Sequence, residues 1–201
     1  MDLSIIILTY NRAESLNECL ESLTKQSFKD FEVIIVDGDS KDRTPEVINN
    51  YTSNLKIKKY IVKTSNIAKL RDYGWRHASG NYISWIDDDV VVIKNWAKEV
   101  VNTFKNNSDV CGVSGPTLIN QELLKERDVF RFVKGKGLIA KLWQNYFLEG
   151  KAKEPGLFLK NGWWTPGSNF KSSTQIKGLK KVDNLEPCNM TYTRQVLENI
   201  N

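Results

Sequence analysis

The feature that most constrains this chain is an alternation in its first ninety residues, where short, mostly apolar runs are followed by segments with apolar residues at helical spacing. Residues 3–9 are rich in isoleucine, and Leu16, Cys19, Leu20 and Leu23 then recur every three or four positions up to a break at Ser27-Phe28-Lys29-Asp30. That is a strand followed by an amphipathic helix. Residues 32–36 read as a second buried strand, and Pro45, Val47, Ile48 and Tyr51 mark a second helix with Thr44 as its cap. A third strand is expected near residues 56–62, a helix over 67–78 stopped by Gly80, and a fourth strand over 82–86. Strands that are apolar throughout are buried on both faces, and alternation with helices demands parallel pairing. The expected class is therefore α/β, with a mostly parallel central sheet and helices on both faces. Further along, a helix is expected over 95–104, a strand over 110–114, and a strand or turn over 188–192 leading into a helix over 194–200.

Several functions are excluded by composition. With 201 residues, 40% of them hydrophobic and 21 aromatic, the chain can build one sizeable core and is too short for two ordinary domains, so a single domain over 1–201 is expected. Its apolar runs fall far short of the roughly 20 residues that span a bilayer, and Asp2 does not suit a signal peptide. A cytoplasmic location follows as the expectation. Three cysteines far apart and a single histidine, His77, give neither a disulfide framework nor a zinc site, so any metal must sit on oxygen. The net charge of +5 is uneven: residues 1–100 carry 14 basic and 15 acidic groups, and the rest carry 15 and 9. A positive field of this kind favours anionic partners without choosing among them.

In open parallel sheets, ligands bind beyond the carboxyl ends of the strands. Those ends read Thr9-Tyr10-Asn11-Arg12, Asp37-Gly38-Asp39-Ser40-Lys41-Asp42 and Asp87-Asp88-Asp89. Three consecutive aspartates repel one another, and a hard divalent cation neutralises them while leaving positions open for phosphate. If the strand continues, Asp87 and Asp89 fall on one side of it and can share an ion.

Taken together, Ile7-Leu8-Thr9-Tyr10-Asn11-Arg12, Val36-Asp37-Gly38-Asp39-Ser40-Lys41-Asp42-Arg43-Thr44, Leu70-Arg71-Asp72 and the run from Ser79 through Trp85 to Asp89 resemble the family 2 glycosyltransferases of the GT-A fold, in order and spacing. The stretch Glu186-Pro187-Cys188-Asn189-Met190-Thr191-Tyr192-Thr193-Arg194 resembles the part of that family that lines the acceptor side. The resemblance implies transfer of a sugar from a nucleotide donor, UDP- or GDP-linked, to a glycan or lipid-linked acceptor, with inversion and with Mg²⁺ or Mn²⁺. It implies a nucleotide-binding half over 1–93 and an acceptor-side half over 94–201. By the same resemblance Thr9 and Tyr10 meet the nucleobase with Arg12 nearby, Asp37 closes the base and ribose pocket, and Asp39 takes over a contact that many relatives make from the position held here by Gly38. Arg71 reaches the nucleotide side, Asp87 and Asp88 the ribose or the metal's waters, and Asp89, with Asp87, the metal. The family's usual base belongs to an acidic motif beyond the helix that starts near Arg194, and the sequence given ends at Asn201, so Glu186 is the candidate base and a C-terminally short chain is expected.

Other readings compete with this one. A nucleotide-sugar-binding module without efficient turnover follows if the base is missing. Nucleotidyltransferases place a Gly-rich loop after the first strand, which Thr9-Tyr10-Asn11-Arg12 lacks. Nucleic-acid binding is opposed by the acidic strand ends. Gly135-Lys136-Gly137-Leu138-Ile139-Ala140 fits G-x-G-x-x-A but reads as a turn. Leu138, Ile139, Leu142, Trp143, Tyr146 and Phe147 form a helical stripe flanked by Lys136, Lys141, Lys151 and Lys153. It reads as a core-facing helix with a solvated basic side, with peripheral contact to a membrane's cytoplasmic face left open. Trp163 and Trp164 are placed to stack on an acceptor sugar or to cover the sheet.

Overall fold

The computed structural model describes residues 1–116, 137–151, 154–161, 164–166 and 178–199. They fall into two compact units, Met1–Val113 with Pro187–Asn201, and Ser114–Glu186.

The first unit is built on strands β1 (Leu3–Thr9), β2 (Phe31–Asp37), β3 (Ile57–Ile61), β4 (Tyr82–Asp87), β5 (Gly112–Ser114) and β8 (Asn189–Thr193), in the order β3-β2-β1-β4-β8-β5. Pairs β1–β2, β1–β4 and β2–β3 are parallel, whereas β8 runs antiparallel beside β4 and so brings residues 187–201 into this unit. Alternate residues of each strand feed two cores, as a period of two requires. Leu3, Ile5 and Ile7 of β1 and Val33 and Ile35 of β2 pack with α1 (Ala13–Thr24), α2 (Thr44–Asn50) and α4 (Trp96–Asn106). Ile6, Ile34, Val36, Ile83 and Trp85 face the other way, onto Leu70 and Tyr73 of α3 (Ile67–Arg76) and Leu197 of the short helix α6 (Arg194–Glu198). Every residue of β2 is buried, so this strand has no wet face and its apolar run carries no alternation. Each of these fully buried isoleucines and leucines contributes roughly 1.5–3 kcal/mol.

Several expected boundaries move by a residue or two, and two of the shifts have a visible cause. Helix α3 ends at Arg76 with His77 as its C-cap, two residues before the expected end, and Gly80 serves a purpose other than stopping it. A Cβ at Gly80 would stand 2.6 Å from the Ser4 backbone nitrogen, and the Gly80 N–H donates to Ser4 Oγ at 2.8 Å. Thr44 is not the cap of α2 but its first helical residue; the Asp42 carboxylate accepts its N–H at 3.0 Å.

The second unit contains α5 (Leu138–Phe147) and an antiparallel pair, β6 (Pro155–Phe158) and β7 (Trp164–Pro166). Trp143 packs on Leu148 and Leu159. The stripe expected to face a core does so only in part: Trp143 and Phe147 are half-buried, whereas Leu138, Ile139, Leu142 and Tyr146 are exposed, and Ala140 is the helix residue that is buried. The G-x-G-x-x-A run is the start of this helix from Gly137 onward. Lys136, Lys153 and Trp163 lie outside the described residues, as does the expected helix end at Ile200. Among the described residues no helix is long and apolar enough to cross a membrane.

Candidate functional site

Parallel pairing puts the carboxyl ends of β1, β2 and β4 side by side: Thr9 is in register with Asp37, and Leu8 with Asp87. The loops leaving β1 and β2 are laced together. Gly38 N–H donates to Thr9 O at 2.9 Å, Asn11 N–H to Ser40 Oγ at 2.9 Å, and Lys41 N–H to Asn11 Oδ1 at 2.7 Å. Asn11 and Asp39 adopt φ of 51° and 75°, a left-handed conformation that short polar residues tolerate better than other L-residues. Asp42 accepts from the N–H of Ala13 at 3.1 Å as well as from Thr44, so one carboxylate holds the starts of α1 and α2. Neither Asn11, Ser40 nor Asp42 was named as a functional residue from the sequence. The available signal was their type, since Asn, Ser and Asp in turns bond nearby backbone.

Inside this frame Asp37 is fully buried. Its Oδ1 accepts the Ser40 N–H at 2.9 Å, while its Oδ2 is buried without a hydrogen-bond partner; the hydroxyl of neighbouring Thr9, also buried, faces the Asp88 carboxyl and opposes the rise that burial gives it. A buried polar group left unpaired costs about 1–3 kcal/mol, so any partner that reaches Asp37 Oδ2 recovers that cost. Tyr10, 58% exposed, lies with its ring against Gly38. Asp39 is held by Lys41 Nζ at 2.8 Å, and this contact keeps its carboxyl below the ordinary carboxylate range.

The acidic run does not continue the strand. β4 ends at Asp87, and a turn closed by Val90 N–H to Asp87 O carries Asp88 and Asp89, so the strand alternation expected to align Asp87 with Asp89 is lost. Asp87 and Asp89 are nevertheless exposed, and Asp88 is buried. Desolvation and then repulsion from Asp89 push the Asp87 carboxyl above its usual value, with Arg71 opposing the rise. Arg71 thus acts on the acidic turn from α3. On the same helix Arg76 Nε meets Asp72 at 2.9 Å. Arg12 reaches across from β1: its Nε stands 3.2 Å from Asp88 Oδ1 and its Nη2 2.6 Å from Asp89 Oδ2. Beneath the turn, Cys19 Sγ lies 3.9 Å from Asp87 O, and burial together with the three aspartates pushes its thiol up to about 12, which removes it as a nucleophile.

Among the described residues no three His, Cys, Asp or Glu side chains converge on one point. The donors at hand are one or two exposed aspartate carboxylates. That set fits Mg²⁺ or Mn²⁺, which such sites hold through one or two carboxylates with substrate phosphates and water completing the shell, and it does not fit a zinc site. Thr9, Tyr10, Arg12, Asp37, Asp39, Arg71, Asp87, Asp88 and Asp89 all belong to the first unit. Glu186 belongs to the second, where its backbone N–H donates to Ser114 Oγ at 3.3 Å.

Comparison with known proteins gives these groups a context. The Glycosyl transferase family 2 model matches residues 4–200. Poly(ribitol-phosphate) beta-N-acetylglucosaminyltransferase TarS of Staphylococcus aureus is 31% identical over 136 residues, which cover 63% of this chain and 24% of that protein. GalNAc(5)-diNAcBac-PP-undecaprenol beta-1,3-glucosyltransferase of Campylobacter jejuni is 30% identical over 139 residues, covering 68% and 43%. Thus the chain spans between about a quarter and two fifths of the length of these relatives. The crystal structure of S. aureus TarS 1–349 in complex with UDP-GlcNAc superposes with a TM-score of 0.56 at 28% identity, over 60% of this chain and 36% of that one. Mannosyltransferase PcManGT from Pyrobaculum calidifontis shares the fold over 99% of this chain and 46% of its own, with a TM-score of 0.60 at 18% identity. With a parallel sheet whose strand ends gather these polar groups and a family match over nearly its whole length, the chain belongs to glycosyltransferase family 2 and has the GT-A fold.

Proposed function

We propose that this chain binds a nucleotide-diphospho-sugar at the carboxyl ends of β1, β2 and β4 and transfers the sugar with inversion, in a divalent-metal-dependent reaction, to a glycan or lipid-linked acceptor. The observation that supports this most is the adjacency of two unlike groups at the strand ends: buried Asp37 and Thr9 near the exposed Tyr10, and an acidic turn flanked by Arg12 and Arg71. A base suits the first and a diphosphate with its cation suits the second. A UDP-linked donor is favoured over a GDP-linked one, because the sequence relative from S. aureus is seen with UDP-GlcNAc. A lipid-linked acceptor would bring the protein to the cytoplasmic face of a membrane.

Each residue's task follows from its chemistry. Tyr10 stacks on the base, and Asp37 and Thr9 accept hydrogen bonds from it and the ribose, with Asp39 beside them. Arg71 neutralises phosphate charge. Asp89, with Asp87, would hold Mg²⁺ or Mn²⁺, which would supply Lewis-acid stabilisation of the charge on the departing diphosphate. Transfer breaks the bond from the anomeric carbon to the diphosphate oxygen, whose electron pair leaves with the nucleotide. The acceptor oxygen forms the new bond from the opposite face and gives up its proton to a carboxylate, for which Glu186 is the candidate.

Calorimetry with UDP tests the reading. Affinity is expected to be much higher with Mn²⁺ than with EDTA, and Asp89→Ala is expected to erase that difference. Equal affinity with and without metal overturns the metal's role, and no UDP binding overturns the function. A turnover assay beside the binding assay separates an enzyme from a nucleotide-sugar-binding module, the reading favoured if the chain's share of its relatives' length proves too small for transfer.

A further inference from the structure

We infer that Arg12 is a resident counter-ion of the acidic turn, holding Asp88 and Asp89 in the donor-free protein and releasing Asp89 when a divalent cation and a nucleoside diphosphate arrive together. The inference rests on the proposed reading of Asp89 as a metal-binding residue, and it adds a role for Arg12 that couples the two ligands.

The geometry is specific. Arg12 spans two neighbouring carboxylates with two different nitrogens, at 3.2 Å to Asp88 and 2.6 Å to Asp89. Its two partners differ. Asp88 is buried at 5% exposure and fixed, whereas the Asp89 side chain is about half exposed, as is that of Arg12 itself. The backbone at Arg12 is anchored, since its carbonyl accepts the Leu16 N–H at 3.0 Å at the start of α1. What can move is the outer part of the side chain, pivoting on Asp88 and letting go of Asp89.

Charge favours the exchange. A hard cation takes a carboxylate oxygen at about 2.0–2.1 Å, so binding to Asp89 sets it within a few ångströms of a guanidinium already on the same group. Two cations at that separation repel, which favours Arg12 giving up Asp89. The diphosphate gives the released guanidinium a new partner, since arginine binds phosphate oxygens in the same forked geometry that it uses for carboxylates. Metal alone displaces Arg12 without offering it a destination, but metal with diphosphate does both. Each ligand should therefore raise the other's affinity, by the reciprocity that binding linkage imposes. A cation shared by carboxylate and diphosphate couples the two ligands by itself, so the share owed to Arg12 is the part of the coupling that its substitution removes.

The test measures Mn²⁺ binding by the electron paramagnetic resonance signal of the free ion, with and without UDP, in the wild type, Arg12→Met and Arg12→Lys. Arg12→Met keeps the apolar stem and drops the charge, and thermal unfolding checks that it folds. It is expected to bind Mn²⁺ alone about tenfold tighter or more, as removal of a cation that near a carboxylate implies. The factor by which UDP improves Mn²⁺ affinity should shrink correspondingly. Arg12→Lys, whose single ammonium cannot span both carboxylates, should fall between and gives the answer if the methionine variant does not fold. Mn²⁺ affinities that match the wild type in a folded variant overturn the inference and leave the metal site standing. Absence of Mn²⁺ binding in all three proteins, with and without UDP, removes the metal reading and the inference together.

Discussion

The ring of Tyr10 rests on the backbone of Gly38: a Cβ built at Gly38 would stand 3.2 Å from Tyr10 Cδ2, closer than ordinary van der Waals contact. The tyrosine is otherwise largely exposed, so one ring face is supported by the β2 loop and the other is open to a ligand. Tyr10→Ala is expected to weaken UDP binding by roughly 1–3 kcal/mol, the range for loss of one stacked base. It should change thermal stability little, because an exposed side chain is removed. Calorimetry on the folded variant checks this, and unchanged affinity would return Tyr10 to a structural role.

Gly80→Ala tests a different kind of contact. The added methyl meets backbone atoms, Ser4 N at 2.6 Å and Leu3 C at 2.8 Å, and neither can move without shifting β1 in the middle of the sheet. The same crowding threatens the hydrogen bond from Gly80 N–H to Ser4 Oγ. A loss of about 1–3 kcal/mol is expected from overpacking, read as a lower urea midpoint with an unchanged slope. A midpoint equal to the wild type would show that the two segments can separate freely.

These two glycines also show what the sequence can and cannot carry. The strands and helices of the first unit were legible because Ile5-Ile6-Ile7 and Val33-Ile34-Ile35-Val36 are apolar throughout, and because Leu16, Cys19, Leu20 and Leu23 share one helix face. Gly80 was legible as a break, yet its cause was not, because the atoms it must clear lie 76 residues away in Ser4. The acidic turn was found from three adjacent aspartates, but the reach of Arg12 to Asp89, 77 positions on, depends on β1 and β4 being neighbours. That four of the six stripe residues of α5 face outward rather than a core was not legible for a related reason: periodicity shows that a helix has an apolar side and does not say what that side meets.

Glu32 gives a prediction in pH. It is fully buried in β2, where Ser4 Oγ and the Ser79 N–H each donate to Oε1 at 2.7 Å and Lys58 Nζ stands 2.9 Å from Oε2. Burial alone would raise its pKa, but Lys58, Ser4 and Ser79 outweigh it and hold the carboxyl below its ordinary value. A carboxylate depressed in the folded state stabilises above its unfolded pKa, near 4.3 or so, and loses that contribution as pH falls through the lower folded value. Glu32→Gln is expected to cost about 1–3 kcal/mol at pH 7, since the amide keeps an acceptor for Ser4 and Ser79 but leaves Lys58 without its charge partner. The gap between wild type and variant should narrow as the pH is lowered into the acid range. Urea titrations at several pH values measure it, and a gap that stays constant down to acid unfolding would contradict the assignment.

Glu186→Gln addresses the least supported role in the proposed reaction. Departure of the diphosphate needs its charge stabilised, and capture of the acceptor needs its proton removed; only the second step calls on a carboxylate base. The amide is nearly the same size and cannot accept a proton, so UDP binding in the presence of Mn²⁺ should be unchanged. Transfer to the acceptor should fall by about 10²–10⁴ in kcat. Slow hydrolysis of the donor should persist, because the cation and Arg71 still act on the leaving group. A fall in kcat and kcat/KM together, with donor affinity intact, is the pattern for an interaction made only in the transition state. Full-rate transfer by the glutamine variant would show that another carboxylate takes the proton and that Glu186, bound through its N–H to Ser114, serves the second unit's structure instead.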